Sequence, residues 1–186
     1  MRRHCSRVVL VALVNAAPAA AAEWHLDPAH STITVEINQG GKPVTARFES
    51  FKGQIEFDPA HLSGSHAELT IDLASFRSGD AQRDQIATAG EFLAAASESA
   101  AHYRSTAFTA KGGDHYEVAA ELTLKGVTKR LSHPATVSIA GKEAHARGEV
   151  VLQRLDFGVG AAQFPRGDQV GTTVTVRFDL AATRAG

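Results

Sequence analysis

The side chains with the greatest chemical reach are nine histidines and two arginine–aspartate groupings. His25 and His30 stand five apart across a proline turn, and His61 and His66 five apart across a glycine-containing one. A metal site needs ligands at a defined spacing, as in H-E-x-x-H, and usually a cysteine or carboxylate to complete it. Neither pair has that company, so no metal site is expected. His30 and His133 are the histidines a general acid–base reading would use, but no nucleophile–base pair is legible beside them. No serine lies in a G-x-S-x-G setting, and no glycine-rich loop leads into a helix as a phosphate cradle. No catalytic residue is assigned and an enzyme is not expected. Arg83-Asp84 opens a helical region. Arg154 and Asp156, two apart at the end of a strand run, are expected to share a face. Each grouping is either a structural ion pair or a polar collar for a ligand headgroup, since guanidinium suits phosphate and carboxylate.

These groups need a scaffold, and the scaffold reads as β. In the opening stretch Ile33, Val35 and Ile37 alternate with Thr32, Thr34 and Glu36, the period of a strand with one apolar face. Val44 to Phe57 carries Phe48 on one parity and Phe51, Ile55 and Phe57 on the other, which predicts a bulge near Glu49-Ser50. Gly53 permits close approach. Leu69, Ile71 and Leu73 share a face in the next run. Residues 81–101 lack the two-residue period and predict one or two short helices carrying Phe92 and Leu93. Strands resume with Phe108, then Val118 and Leu122, then Val137, then Val150 and Leu152, and finally Val174, Val176 and Phe178. Pro134 inside such a run predicts an edge, an end or a bulge.

About eight strands on short turns suggest a sandwich or barrel, and the up-and-down order favours a closed barrel. That size either fills with side chains or holds one small ligand. The inward parity includes many small residues, Ala67, Ala120, Ala135, Ala144, Ala146 and Gly148. Two readings stay open: an elongated apolar pocket, or a barrel plugged by side chains such as Phe92 and serving as an interaction or stress-protective module.

Residues 1–22 read as a cleaved signal peptide: Arg2, Arg3 and Arg7, a short apolar core, then Ala20-Ala21-Ala22. The remaining 23–186 read as a single domain. Without those three arginines the 19 basic residues become 16 against 20 acidic, a net of −4, and no nucleic-acid partner is expected. Cys5, the one cysteine, leaves with the signal, so the core alone must stabilise the exported chain.

Trp24…Asp27-Pro28-Ala29-His30-Ser31, Phe51-Lys52-Gly53-Gln54-Ile55-Glu56-Phe57-Asp58-Pro59, Ile71-Asp72-Leu73-Ala74-Ser75 with Arg83-Asp84, Leu122-Thr123-Leu124-Lys125-Gly126-Val127-Thr128-Lys129 and Arg154-Leu155-Asp156-Phe157-Gly158-Val159 follow one another as in the YceI family, which the chain resembles throughout its length. The resemblance implies an exported, extended, antiparallel eight-stranded lipocalin-like barrel, periplasmic or secreted and often a homodimer. It also implies a bound polyisoprenoid in the lumen and no other cofactor. The Gln39-Gly40 turn is similar to that of members related to cytochrome b561 fusions. That similarity implies an isoprenoid quinone as an alternative ligand, and transient contact with the membrane or respiratory proteins. The alternating apolar residues named above would line the pocket, and Arg83, Asp84, Arg154 and Asp156 would meet a headgroup or close the rim. The segment 91–103 departs from the family pattern, so its lumen contacts are not carried over.

Overall fold

The computed structural model describes residues 21–186, and all but the last two residues of the expected signal peptide lie outside them. The chain runs β1 (Glu23–Gln39), β2 (Lys42–Phe48), β3 (Phe51–Glu56), β4 (His66–Asp72), β5 (Phe76–Arg77), α1 (Ala81–Thr88), β6 (Ala100–Gly112), β7 (His115–Leu124), β8 (Val127–Ala140), β9 (Glu143–Gln153) and β10 (Val170–Arg184). All strand pairings are antiparallel. The sheet order is β10-β9-β8-β7-β6-β4-β3-β1-β2-β5, and β10 also pairs with β1, which closes the barrel. β2 and β3 are two arms of one bent strand, since β1 pairs with β3 through Trp24 and with β2 from Ile33 onward. Counted as one, and with the two-residue β5 left outside because it pairs only with β2, they give the eight staves of the closed barrel.

The expected bend at Glu49-Ser50 is present. Pairing stops there, and Glu49 N–H and Ser50 N–H donate to the carbonyl and hydroxyl of Ser75 instead. A larger bulge lies in β1, where the five steps from Asp27 to Thr32 oppose the two steps from Ala181 to Asp179 on β10. It shifts the inward parity from Trp24 to Ile33, as a bulge must when side chains alternate with period 2. Only α1 forms within 81–101. The following residues make turns until β6 begins. No helix among the described residues is long and apolar enough to cross a membrane.

The wall has a charged outer face. Arg177 on β10 bridges Glu36 on β1 and Glu149 on β9 at 3.2 and 2.9 Å, and Arg147 meets Asp179 at 2.8 Å. Each exposed pair contributes only about 0–1 kcal/mol. Their placement nonetheless orients the pattern: charge outward and carbon inward, the reverse of a barrel that faces lipid with its outer surface.

Pro134 lies mid-strand in β8. On the β7 side it pairs with Glu117, but the β8–β9 ladder starts only at Ala135, opposite Gly148. A residue without N–H thus marks the point where one ladder ends. Gly148 faces inward under the ring of Phe178. A Cβ there would sit 2.4 Å from Phe178 Cζ and 2.7 Å from the Pro134 carbonyl oxygen. Gly148→Ala is therefore expected to destabilise the barrel by about 1–3 kcal/mol through overpacking, read as a lower urea midpoint with an unchanged m-value. Gly53 is similarly pinched, between Leu69 and the Glu68 carbonyl.

Candidate functional site

The interior is not filled. A cavity of about 530 Å³ runs inside the barrel. One end gathers aromatics where β1 begins and β10 ends. The Phe57 ring packs edge-on against Phe108 and Tyr116, each at 5.3 Å, and the Trp24 indole N–H donates to the Phe57 carbonyl. At the other end Arg83, Ile86 and Ala87 of α1, then Phe92 and Leu93, face Phe157, Val159 and Phe164 from the β9–β10 connection.

Of the sequence-derived wall residues, Ile33, Val35 and Ile37 of β1, Phe48 of β2, and Ile55 and Phe57 line this cavity. Leu69, Ile71 and Leu73, Phe92 and Phe108, Val118 and Leu122, and Val137 do so as well. Val150 and Leu152 of β9, and Val174, Val176 and Phe178 of β10, complete the set. Phe51 does not line the cavity. It pairs with Ile71 next to the β2–β3 bend and is buried in the cluster around Ile33, Ile71, Leu73 and Leu180.

The rim groups are corrected in part. Arg83 reaches the cavity, its guanidinium 3.4 Å from Ser78 Oγ, and it has no carboxylate partner among the described residues. Asp84 turns away and accepts from the Ser78 N–H at 2.7 Å and from its hydroxyl at 2.6 Å, bonds that hold its carboxyl below the ordinary range. Arg154 and Asp156 do not share a face. β9 ends at Gln153 and residues 154–157 form a 3₁₀ turn, so strand parity does not apply; Arg154 is 3% exposed and Asp156 is exposed.

Arg154 is a clamp. Its guanidinium donates to the carbonyls of Gly171 (2.8 Å), Val159 (2.7 Å), Val170 (2.8 Å) and Phe164. Burial pulls its pKa down, yet a guanidinium remains charged at neutral pH. The clamp shapes the loop that carries Phe157, Val159 and Phe164 to the cavity. Lys125 ties that loop to the α1 side, its Nζ donating to the carbonyls of Gly90, Glu91 and Gly158 at 3.1–3.4 Å.

The histidine pairs resolve into turns. Asp27 accepts from the Ala29 N–H and meets His30 Nδ1 at 2.7 Å; Asp58 accepts from the Ala60 N–H and meets His61 Nδ1 at 3.0 Å. The His30 and His61 hydrogen bonds hold both carboxyls below their ordinary value. Asp-Pro-Ala-His thus occurs twice with one local geometry, a side-chain-closed turn. Among the described residues no group of three or more potential ligands is placed to hold a metal.

Sequence reasoning missed two polar residues on the inner wall, Tyr103 and His133. His133 has the inward parity of Leu131 and Ala135, and that parity was the available signal. Tyr103 and Phe108 both face in although their numbers differ in parity, because β6 carries a bulge between Ser105 and Ala107. Tyr103 Oη lies 2.9 Å from His133 Nε2, and His133 Nδ1 is 3.1 Å from the Pro134 carbonyl oxygen. Burial raises the Tyr103 phenol and lowers the His133 imidazole from its ordinary 6.5. Because the folded value is the lower one, the unfolded chain takes up this proton first as pH falls. The stability that His133 contributes as a neutral ring is present above about pH 6.5 and is lost as pH drops toward the depressed folded value. In urea melts at about pH 7.5 and about pH 5, His133→Phe should lose less stability between the two than the parent.

The wider comparisons agree with this architecture. A family model described as the YceI-like domain matches residues 24–182. A UPF0312 protein of Vibrio cholerae is 31% identical over 169 residues, 86% of this chain and 89% of that protein. The crystal structure of BcnA from Burkholderia cenocepacia has a TM-score of 0.82 at 30% identity and covers 85% of this chain and 99% of its own. A polyisoprenoid binding domain from Saccharophagus degradans, implicated in plant cell wall breakdown, shares the fold with a TM-score of 0.71 at 20% identity; the match covers 89% of this chain and 99% of that one. The matched span runs from the first aromatic of β1 to the end of the lumen wall on β10, and the chain belongs to the YceI-like family.

Proposed function

We propose that the protein is an exported, non-catalytic carrier or reservoir that holds a polyisoprenoid, or an isoprenoid-quinone-like amphiphile, inside the barrel and works in the periplasm. The observation that carries this reading is the cavity of about 530 Å³ inside the barrel, walled almost throughout by aliphatic and aromatic carbon. An unfilled space of that size is destabilising unless something occupies it. The small inward residues Ala46, Ala67, Ala135, Ala144 and Ala146 keep it open. Phe92, Phe108 and Phe178 line it without filling it, which speaks against a plugged barrel. The polyisoprenoid-binding description of the Saccharophagus degradans domain points the same way.

Transfer of each methylene from water contributes about 0.8 kcal/mol, so a five-carbon isoprene unit supplies roughly 4 kcal/mol. A chain of a few units binds without strong polar contacts, and Arg83 at the α1 end is placed to meet its head. Native mass spectrometry of protein purified from the cell envelope, followed by solvent extraction, is expected to release an isoprenoid. A protein that arrives empty and ignores added polyprenols and quinones would overturn the reading.

A further inference from the structure

We propose that Tyr103 and His133 form a hydroxyl-recognition site inside the lumen, one that takes a ligand group able to donate a hydrogen bond, an alcohol, phenol or hydroquinone, in preference to the matching carbonyl. The inference rests on the lipid-holding reading and sharpens it. Tyr103 on β6 and His133 on β8 reach each other across β7, whose inward residue Ala120 is small and fully packed. Both border the cavity, in a wall that is otherwise almost all carbon.

The hydrogen-bond network fixes what the pair can offer. The Pro134 carbonyl oxygen can only accept, so the proton of the neutral imidazole sits on Nδ1, 3.1 Å away. Nε2 is then bare, and at 2.9 Å it accepts the Tyr103 hydroxyl proton. Both donors are spent within the protein. What remains is acceptor capacity on the phenol oxygen. A ligand hydroxyl brings its own hydrogen and can satisfy it, whereas a carbonyl lodged there is stripped of water and finds no donor. An apolar wall would be satisfied by Phe and Leu at these positions. A bonded polar pair adds nothing to enclosing hydrocarbon, but it does discriminate.

The test uses the purified protein stripped of lipid by solvent extraction, with geranylgeraniol and its aldehyde as probes of equal length, their affinities measured by calorimetry. The parent should prefer the alcohol by roughly tenfold. His133→Phe releases the Tyr103 O–H to donate, and the preference should shift toward the aldehyde. Tyr103→Phe with His133→Phe should lose the preference for the alcohol, since neither probe then finds a polar partner, and circular dichroism confirms that each variant is folded. Equal affinity of the parent for the two probes overturns this inference while leaving the lipid-filled lumen intact. Failure to bind either probe overturns the parent reading instead.

Discussion

With tryptophan in place of Ala146, the barrel is expected to fold and unfold in urea as the parent does, yet take up isoprenoid at least about 100-fold more weakly. Ala146 stands on β9 opposite Val137 of β8 and Leu180 of β10, and its methyl borders the cavity. Because it borders open volume, a larger side chain there is expected to extend inward without moving a strand. An indole buries up to about 250 Å². In a cavity of about 530 Å³ it occupies ground that several ligand methylenes would otherwise use. At about 0.8 kcal/mol each, losing four of them already removes about 3 kcal/mol of binding. The effect on stability should be small or favourable, because an open volume is being filled. Native mass spectrometry with a polyprenol supplies the binding measurement. Undiminished uptake by a folded Ala146→Trp protein would place the ligand somewhere other than the lumen.

Arg154→Met should be the most damaging single change at the α1 end. Methionine matches the length of the stem but carries no donor, and four carbonyls lose their partner at once. Each buried unsatisfied carbonyl costs about 1–3 kcal/mol, and partial access to water relieves some of this, so a loss of about 3–5 kcal/mol is expected. Arg154→Lys should fall between the two, because an ammonium cannot reproduce the planar fork that serves four acceptors. The damage should concentrate in 158–169, where limited proteolysis would cut first, since that segment is held by the clamp and by Lys125 more than by any ladder. A variant with the parent's urea midpoint and protease resistance would show that the clamp is dispensable.

Most of the barrel was legible because its signal is local. A strand that faces carbon on one side and water on the other writes a period of two, and Val174, Val176 and Phe178 or Val118 and Leu122 needed nothing more. The bend at Glu49-Ser50 was legible as a change of parity, and Gly53 as a site of close approach. What failed were places where the parity rule was applied across an irregularity. Phe51 keeps the inward face that its parity predicts, opposite Ile71, but beside the bend its neighbours cover it from the cavity. Arg154 and Asp156 lie beyond the end of β9, in a 3₁₀ turn that points them apart. The α1 end was the least legible part. Phe157, Val159 and Phe164 come to the cavity on a loop whose course is set by a guanidinium bonded to distant carbonyls, and no periodic pattern records that. Tyr103 and His133 had the inward placement but not the expected chemistry. A polar residue on an apolar parity reads as an exception until its partner, two strands along, is known.

Trp24, the single tryptophan of the chain, lies at the aromatic end of the cavity, its indole nitrogen bonded to the Phe57 carbonyl and its face near Arg184. The molecule therefore carries its one indole fluorophore at the floor of its own well. A guest too short to reach that floor should leave the emission where it is, and one long enough should shift or quench it. A series of prenols of increasing length would then turn a change of colour into a measurement of depth.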